Sequence, residues 1–204
     1  MIEMIGRWLN FICLNVCGFL LVYSYILSVM PVTRAERRGE KAWKECAIFR
    51  NLNRVIEFIL LTNLILWTQF PIPELNWIVY ENLLIGIIIG IAILIPSLVI
   101  WIKGLKDAGK ETFIPLKEKV LNKGIFKYIR HPQTVGGFPL FIVFAFMLNS
   151  LFLVVWSAIY LLISVPIIMY FEEKDLVKRF GDAYIEYKRT TGAFFPKVWK
   201  KKEK

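Results

Sequence analysis

Two short polar segments carry the chemistry of this sequence, and a long apolar stretch separates them. Arg130 and His131 stand directly before that stretch, and Glu172 and Glu173 follow it. His131 is the only histidine in the chain. A guanidinium and an imidazole donate hydrogen bonds to carboxylates, whereas carboxylates accept them from hydroxyl and amino groups. If the two segments meet, they form either a site for a charged small molecule or a salt bridge that only fixes the topology.

The apolar stretch, Pro132 to Phe171, determines how the two segments meet. Its 40 residues include no Asp, Glu, Lys, Arg or His. As one helix they would extend about 60 Å, twice the roughly 30 Å of bilayer hydrocarbon. The stretch must therefore fold back, and Asn149 and Ser150 near its middle are typical turn residues. Packed helices lie about 8 to 10 Å apart, so such a hairpin brings the two polar segments together.

The composition places the whole chain in a membrane. Hydrophobic residues make up 57% of the 204 residues and charged residues 21%, which is too apolar for an ordinary soluble domain. Three more apolar runs, Leu9–Met30, Val55–Phe70 and Leu83–Ile102, indicate membrane spans. The sequence thus predicts an all-α integral membrane protein with five transmembrane helices. It ends in a C-terminal helical hairpin and a cytoplasmic C-terminal helix, within one multi-pass domain over residues 1–204.

The positions of the basic residues predict the orientation. All Lys and Arg residues except Arg7 lie in three segments, Pro31–Arg54, Lys103–Arg130 and Glu172 to the end. Cytoplasmic loops collect such residues, so we expect the N-terminus outside and the C-terminus and polar cluster in the cytoplasm. Orientation accounts for the net charge of +10, and we expect no nucleic-acid partner.

The cysteines do not indicate a disulfide or a metal site. Cys13 and Cys17 share a face of the first span, and Cys46 lies in a predicted cytoplasmic segment. Disulfides are rare in the cytoplasm, and three scattered thiols do not have the spacing of zinc ligands. We interpret them as small apolar packing groups and expect no metal.

Two motifs then point to a family. GIFKYIRHPQTVGG precedes the fourth predicted span, and EEKDLVKRFGDAYIEYKRTTGAFFP follows the fifth. Together they resemble the signature of the membrane methyltransferases typified by isoprenylcysteine carboxyl methyltransferase and the bacterial phospholipid methyltransferases. The resemblance covers residues 118–196, and its specificity comes from two motifs in order at the spacing of a two-helix hairpin.

The resemblance implies a cofactor and a reaction. Enzymes of this family transfer a methyl group from S-adenosylmethionine, leaving S-adenosylhomocysteine, to a lipophilic or membrane-dissolved acceptor such as an isoprenylcysteine, a phospholipid or a small thiol. The implied partners are that acceptor and the lipid bilayer. Carried over by motif position, the cofactor contacts fall on Glu118, Lys119, Val120, Leu121, Phe126, His131, Pro132, Gln133, Thr134 and Glu172, with Arg130 and Glu173 as supports.

Three positions depart from the family pattern. Phe126 and Thr134 stand where the family usually has Tyr, which alters the expected pocket. Ile168 stands where isoprenylcysteine enzymes carry an Arg thought to meet the substrate carboxylate, so an isoprenylcysteine acceptor is disfavoured. The alternative function is a non-catalytic membrane carrier or assembly protein that keeps the hairpin.

The motif after the fifth span also predicts a helix with one apolar face. Its members are Leu176, Phe180, Tyr184 and Tyr187, which we interpret chiefly as packing residues. Gly181 lies between them and weakens the helix, so we expect a break or a change of direction there.

Overall fold

The structure is a computed structural model that describes residues 2–117 and 122–197. Eight α-helices make up most of these two ranges. They are α1 (Ile2–Ser28), α2 (Pro31–Arg38), α3 (Lys41–Leu66), α4 (Leu83–Ala108), α5 (Pro132–Gly137), α6 (Pro139–Met147), α7 (Leu151–Phe180) and α8 (Asp182–Thr190). Short 3₁₀ turns cover Pro73–Leu75, Gly109–Thr112 and Gly124–Lys127. In the described residues no strand forms, so the predicted all-α class is confirmed.

Three of the described helical segments are long and apolar enough to cross a bilayer. They are Glu3–Ser28, Leu83–Thr112 and Leu151–Phe180, and they contain most of the first predicted span and all of the third and fifth. Most of the second predicted span lies on α3, whose first half is rich in charged residues. The fourth predicted span corresponds to the apolar helical segment Pro132–Met147. This segment is shorter than the roughly 20 residues of a typical spanning helix.

The basic segment between the first two predicted spans is helical. It forms α2 and the first half of α3. Most buried residues of α3 lie three, four or seven positions apart, the spacing of one helix face. They are Ala42, Cys46, Asn53, Ile56, Leu60, Asn63 and Leu64. This face packs against α1, while the basic side chains occupy other faces. The second part of the basic segment therefore continues without a break into the packed helix α3.

The core lies where α1, α3, α6 and α7 meet. Its buried members are Leu14, Leu21, Ile56, Leu60, Leu64, Trp67, Ile72, Phe141, Ala145 and Leu153. The Trp67 ring stacks on Phe152 with ring centroids 4.4 Å apart. In a bilayer such side chains hold helices together through close van der Waals packing, because lipid tails are as apolar as the side chains.

The chain reverses direction between α6 and α7. Asn149 adopts a positive φ of 53°, and its Oδ1 accepts hydrogen bonds from the backbone N–H groups of Val79 and Tyr80. Ser150 Oγ accepts from the Leu153 N–H and caps α7. These contacts anchor the predicted turn residues to the loop before α4.

The fourth predicted span is not one straight helix. Pro139 separates α5 from α6, because a proline within a helix has no N–H to donate and crowds the preceding turn. Gly136 of α5 lies against α4. A Cβ added to Gly136 would lie 2.5 Å from the Trp101 backbone nitrogen and 2.6 Å from the Ser97 carbonyl oxygen. The small residue permits this close approach.

The segment after α7 folds back beside the start of α5. Gly181, with a φ of 56°, ends α7 and precedes α8, so of the two predicted outcomes, a break or a change of direction, the break is confirmed. Beyond α8, Gly192 and Ala193 accept hydrogen bonds from the backbone N–H groups of Arg130 and His131 at 2.9 and 3.1 Å. This pairing fixes the backbone of the histidine.

Candidate active site

A cavity of about 570 Å³ lies among the helices and contains most of the predicted site. The predicted residues that line it are Phe126, Arg130, His131, Pro132, Gln133, Thr134 and Glu172. Glu118, Lys119, Val120 and Leu121 lie outside the described residues. The structure therefore brings together residues from both motifs around one cavity.

His131 is the centre of the polar cluster. Its ring is buried, with the residue 5% exposed. Nδ1 lies 3.4 Å from Glu172 Oε2, and Nε2 lies 3.2 Å from Glu173 Oε1. Burial alone would lower the pKa of His131, but the charge of Glu172 and hydrogen bonds to both carboxylates raise it overall to about 9. The imidazole is therefore protonated at neutral pH.

Glu173 contacts the polar cluster from outside the cavity lining. It is not among the residues that line it, and its carboxylate contacts three cationic side chains. Oε1 accepts from Arg130 Nη2 at 2.6 Å and contacts the His131 ring, while Oε2 lies 2.6 Å from Lys188 Nζ. The Arg130 guanidinium also donates to the Thr191 carbonyl. These contacts fit the supporting role expected of Arg130 and Glu173.

Glu172 presents a carboxylate to the cavity. Its side chain is 25% exposed, and the His131 ring is its one ion-pair partner in the described part of the chain. A carboxylate has about four acceptor positions. Glu172 can therefore accept hydrogen bonds from a ligand while it keeps its contact with the histidine.

The apolar face after the fifth predicted span also lines the cavity. Leu176, Phe180, Tyr184 and Tyr187 all belong to the lining, so their interpretation chiefly as packing residues was incomplete. Tyr187 donates its hydroxyl to the Phe126 carbonyl at 2.6 Å. This bond links α8 to the segment before α5 and closes one side of the cavity.

The opposite wall comes from α1 and α3, which the motif resemblance did not cover. It is mixed: Leu21, Phe58 and Leu61 supply apolar surface, and Arg50, Asn53, Arg54 and Glu57 supply polar and charged groups. No hydrogen bond or salt bridge to the Glu57 side chain is present among the described residues. The position of Glu57 at the cavity depends on how α3 packs, so the sequence around Glu57 does not by itself reveal it.

Glu111 is a further residue that sequence reasoning missed. Its carboxylate lines the cavity and accepts two hydrogen bonds of 3.1 Å from Arg179 of α7. Arg50 of α3 lies 3.6 Å from it. These partners are more than 60 positions away along the chain, so no local pattern could identify the link.

Two comparisons with known proteins bear on this geometry. The sequence pattern of the phospholipid methyltransferase family matches residues 83–183. The methanethiol S-methyltransferase of Crocosphaera subtropica (strain ATCC 51142 / BH68) is 28% identical over 202 residues, which cover 90% of this chain and 74% of that protein. The chain is a membrane methyltransferase similar to the phospholipid methyltransferase family. No solved structure matches it.

The family match covers one side of the methyltransferase cavity. Residues 83–183 include α4 to α7 and therefore the histidine, both glutamates and the packed start of α5. The polar cluster therefore lies within the matched range, whereas the wall formed by α1 and α3 does not.

Proposed function

We propose that this methyltransferase uses S-adenosylmethionine to methylate an acceptor that reaches the cavity from the membrane. The observation that carries the proposal is the contact of His131 with Glu172 inside the cavity. The two residues belong to separate motifs, and both are cofactor contacts by resemblance.

The described residues fit the proposed cofactor. The cavity volume of about 570 Å³ lies within the usual range of small-molecule sites. Glu172 offers acceptors for an amino group or ribose hydroxyls, and protonated His131 offers a donor and positive charge for a carboxylate. Phe126 and Phe180 supply aromatic surface for an adenine ring. When bound, S-adenosylmethionine supplies an electrophilic methyl group on a sulfonium.

The chain's own contribution is positioning and exclusion of water. Methyl transfer is an in-line displacement, so the two reacting centres must be held in line at short distance. The ion pair with Glu173 holds the His131 ring in place, and the hydrogen bond from Tyr187 to the Phe126 carbonyl holds α8 in place. Apolar walls keep water from the reacting centres, which strengthens the electrostatic interactions inside the cavity.

A small thiol is the acceptor that we propose first. The methanethiol S-methyltransferase similarity extends over 90% of this chain, whereas the phospholipid family match covers residues 83–183 and so does not include α1 and α3. Ile168, which is buried, provides no cation for an isoprenylcysteine carboxylate. The apolar side chains of Phe58 and Leu61 in the cavity lining suit a lipophilic thiol that partitions from the bilayer.

The proposal includes a membrane arrangement. It has five spans, with the N-terminus outside and the polar cluster on the cytoplasmic side, where the cofactor is available. Its support is the position of the basic residues, all but Arg7 of which fall in three segments on one side of such a chain. Cysteine-accessibility labelling at positions 39 and 77 would test it, and labelling of both from the same side would contradict it.

Ligand binding tests the cofactor assignment. We expect detergent-purified protein to bind S-adenosylhomocysteine in isothermal titration calorimetry, and Glu172→Gln and His131→Ala each to weaken binding at least tenfold, about 1.4 kcal/mol. Glu74→Gln, a carboxylate change at an exposed position, should leave the affinity unchanged. Equal small effects of all three changes would refute the site.

Product analysis tests the acceptor. Membranes that contain the protein, supplied with S-adenosylmethionine and methanethiol, should release dimethyl sulfide, and Glu172→Gln should abolish the release. A second reaction, with methyl-labelled S-adenosylmethionine and no thiol, tests whether the membrane lipids are methylated instead. Label recovered in phospholipid, with no dimethyl sulfide formed, would replace the thiol by a lipid amine.

A further inference from the structure

Tyr184 carries a polar group that the site described so far does not use. The residue lies on α8, lines the cavity and is 2% exposed. Its hydroxyl is buried and has no hydrogen-bond partner in the described part of the chain. A buried hydroxyl without a partner costs roughly 1 to 3 kcal/mol, so its retention in a ligand cavity indicates a partner from outside the chain.

Tyr184 and the neighbouring Tyr187 differ in the partners of their hydroxyls. The two rings contact each other edge to face, with centroids 5.9 Å apart. Tyr187 donates its hydroxyl to the Phe126 carbonyl, whereas Tyr184 has no such bond. One tyrosine therefore links α8 to the rest of the fold, and the other is available to a ligand.

The surroundings of Tyr184 are charged. Burial raises the pKa of the Tyr184 phenol, and the negative charges of Glu173 and Glu172 raise it further, while Arg130 opposes them. The hydroxyl therefore stays protonated and able to donate. The part of S-adenosylmethionine that carries both charges is its amino-acid end, which suits a mixed cluster of carboxylates and cations better than the neutral nucleoside does.

We propose that the Tyr184 hydroxyl completes the cofactor site by hydrogen bonding to the amino-acid end of the bound cofactor. This inference rests on the proposed function and adds a contact that lies in neither the histidine motif nor the glutamate pair. Tyr184 is a binding residue in this assignment, and it takes no part in bond making or breaking.

The test compares two ligands on the same protein. S-adenosylhomocysteine has the amino-acid end, and 5′-methylthioadenosine keeps the nucleoside and sulfur but lacks it. We expect Tyr184→Phe to weaken S-adenosylhomocysteine binding about fivefold or more in calorimetry and to change 5′-methylthioadenosine binding by less than twofold. Tyr23→Phe, on an exposed face of α1, is the matched control and should change neither.

Thermal melting without ligand separates binding from structure. Tyr184→Phe should melt at the same temperature as the wild type or higher, because it removes an unpartnered buried hydroxyl. Tyr187→Phe should melt lower, because it loses the bond to Phe126.

Three results would overturn the inference. They are unchanged S-adenosylhomocysteine affinity in Tyr184→Phe, equal weakening of both ligands, and a lowered melting temperature without ligand. A wild-type protein that binds neither ligand would instead reject the proposed function itself.

Discussion

The protonation of His131 can be observed directly, because the chain has no other histidine. Burial disfavours the charged ring, yet the charge and hydrogen bond of Glu172 and the hydrogen bond of Glu173 raise the His131 pKa to about 9. The free side chain titrates at about 6.5. At about 1.4 kcal/mol per pH unit, the difference corresponds to roughly 3 kcal/mol in favour of the charged folded state.

The perturbation that tests this reasoning is Glu172→Gln. Glu172 contributes the largest of the effects that raise the His131 pKa, so its neutralisation should lower that pKa by about one pH unit or more. The assay is NMR of protein labelled at histidine, in detergent, between pH 5.5 and 10, with a purification tag that contains no histidine. The single imidazole signal then reports His131 alone.

Stability should follow the same titration. A histidine whose pKa is raised on folding stabilises the protein fully below its unfolded pKa of about 6.5 and loses this effect as the pH rises through about 9. The wild-type melting temperature should therefore fall across this window, and in Glu172→Gln the fall should be smaller and should end at a lower pH. Glu57→Gln, in the same cavity, is the matched control. A wild-type His131 that titrates near pH 6.5 would refute the reasoning.

Two further predictions concern the frame of the site. Glu173→Gln should lower the free energy of unfolding by about 2 kcal/mol or more, because it leaves Arg130 and Lys188 without their shared carboxylate; a melting temperature within 1 °C of wild type, where roughly 5 °C is expected, would contradict this. Gly136→Ala should cost about 1 to 3 kcal/mol, since its Cβ would overlap α4. Gly137→Ala, whose Cβ would lie 3.4 Å from the Trp101 ring nitrogen, should cost little by denaturant titration.

The meeting of the two motifs was predictable because it follows from length. A charge-free stretch about twice as long as a bilayer is thick must turn near its middle, and polar groups at its two ends must then come together. Asn149 and Ser150 take up that turn in the structure. The contact of His131 with both glutamates is a consequence of the same constraint.

The division of labour between Glu172 and Glu173 was not fully predictable. Adjacent residues on a helix point in directions about 100° apart, so only one of the pair can face the cavity fully. Which one does so depends on the rotation of α7, which its packing against α1, α2 and α6 sets. The unpartnered hydroxyl of Tyr184 and the cavity position of Glu57 depend on the same long-range packing, and no local pattern contains that information.

The reversal at Asn149 divides the polar cluster between two halves of the chain. A protein cut at this bend would consist of one fragment with the imidazole and another with both acids, and neither fragment alone would contain the complete proposed cofactor site. Ligand affinity would return only when the fragments reassociate side by side in one bilayer. The ligand affinity of such a pair of fragments would then measure how far their helices associate within a lipid bilayer.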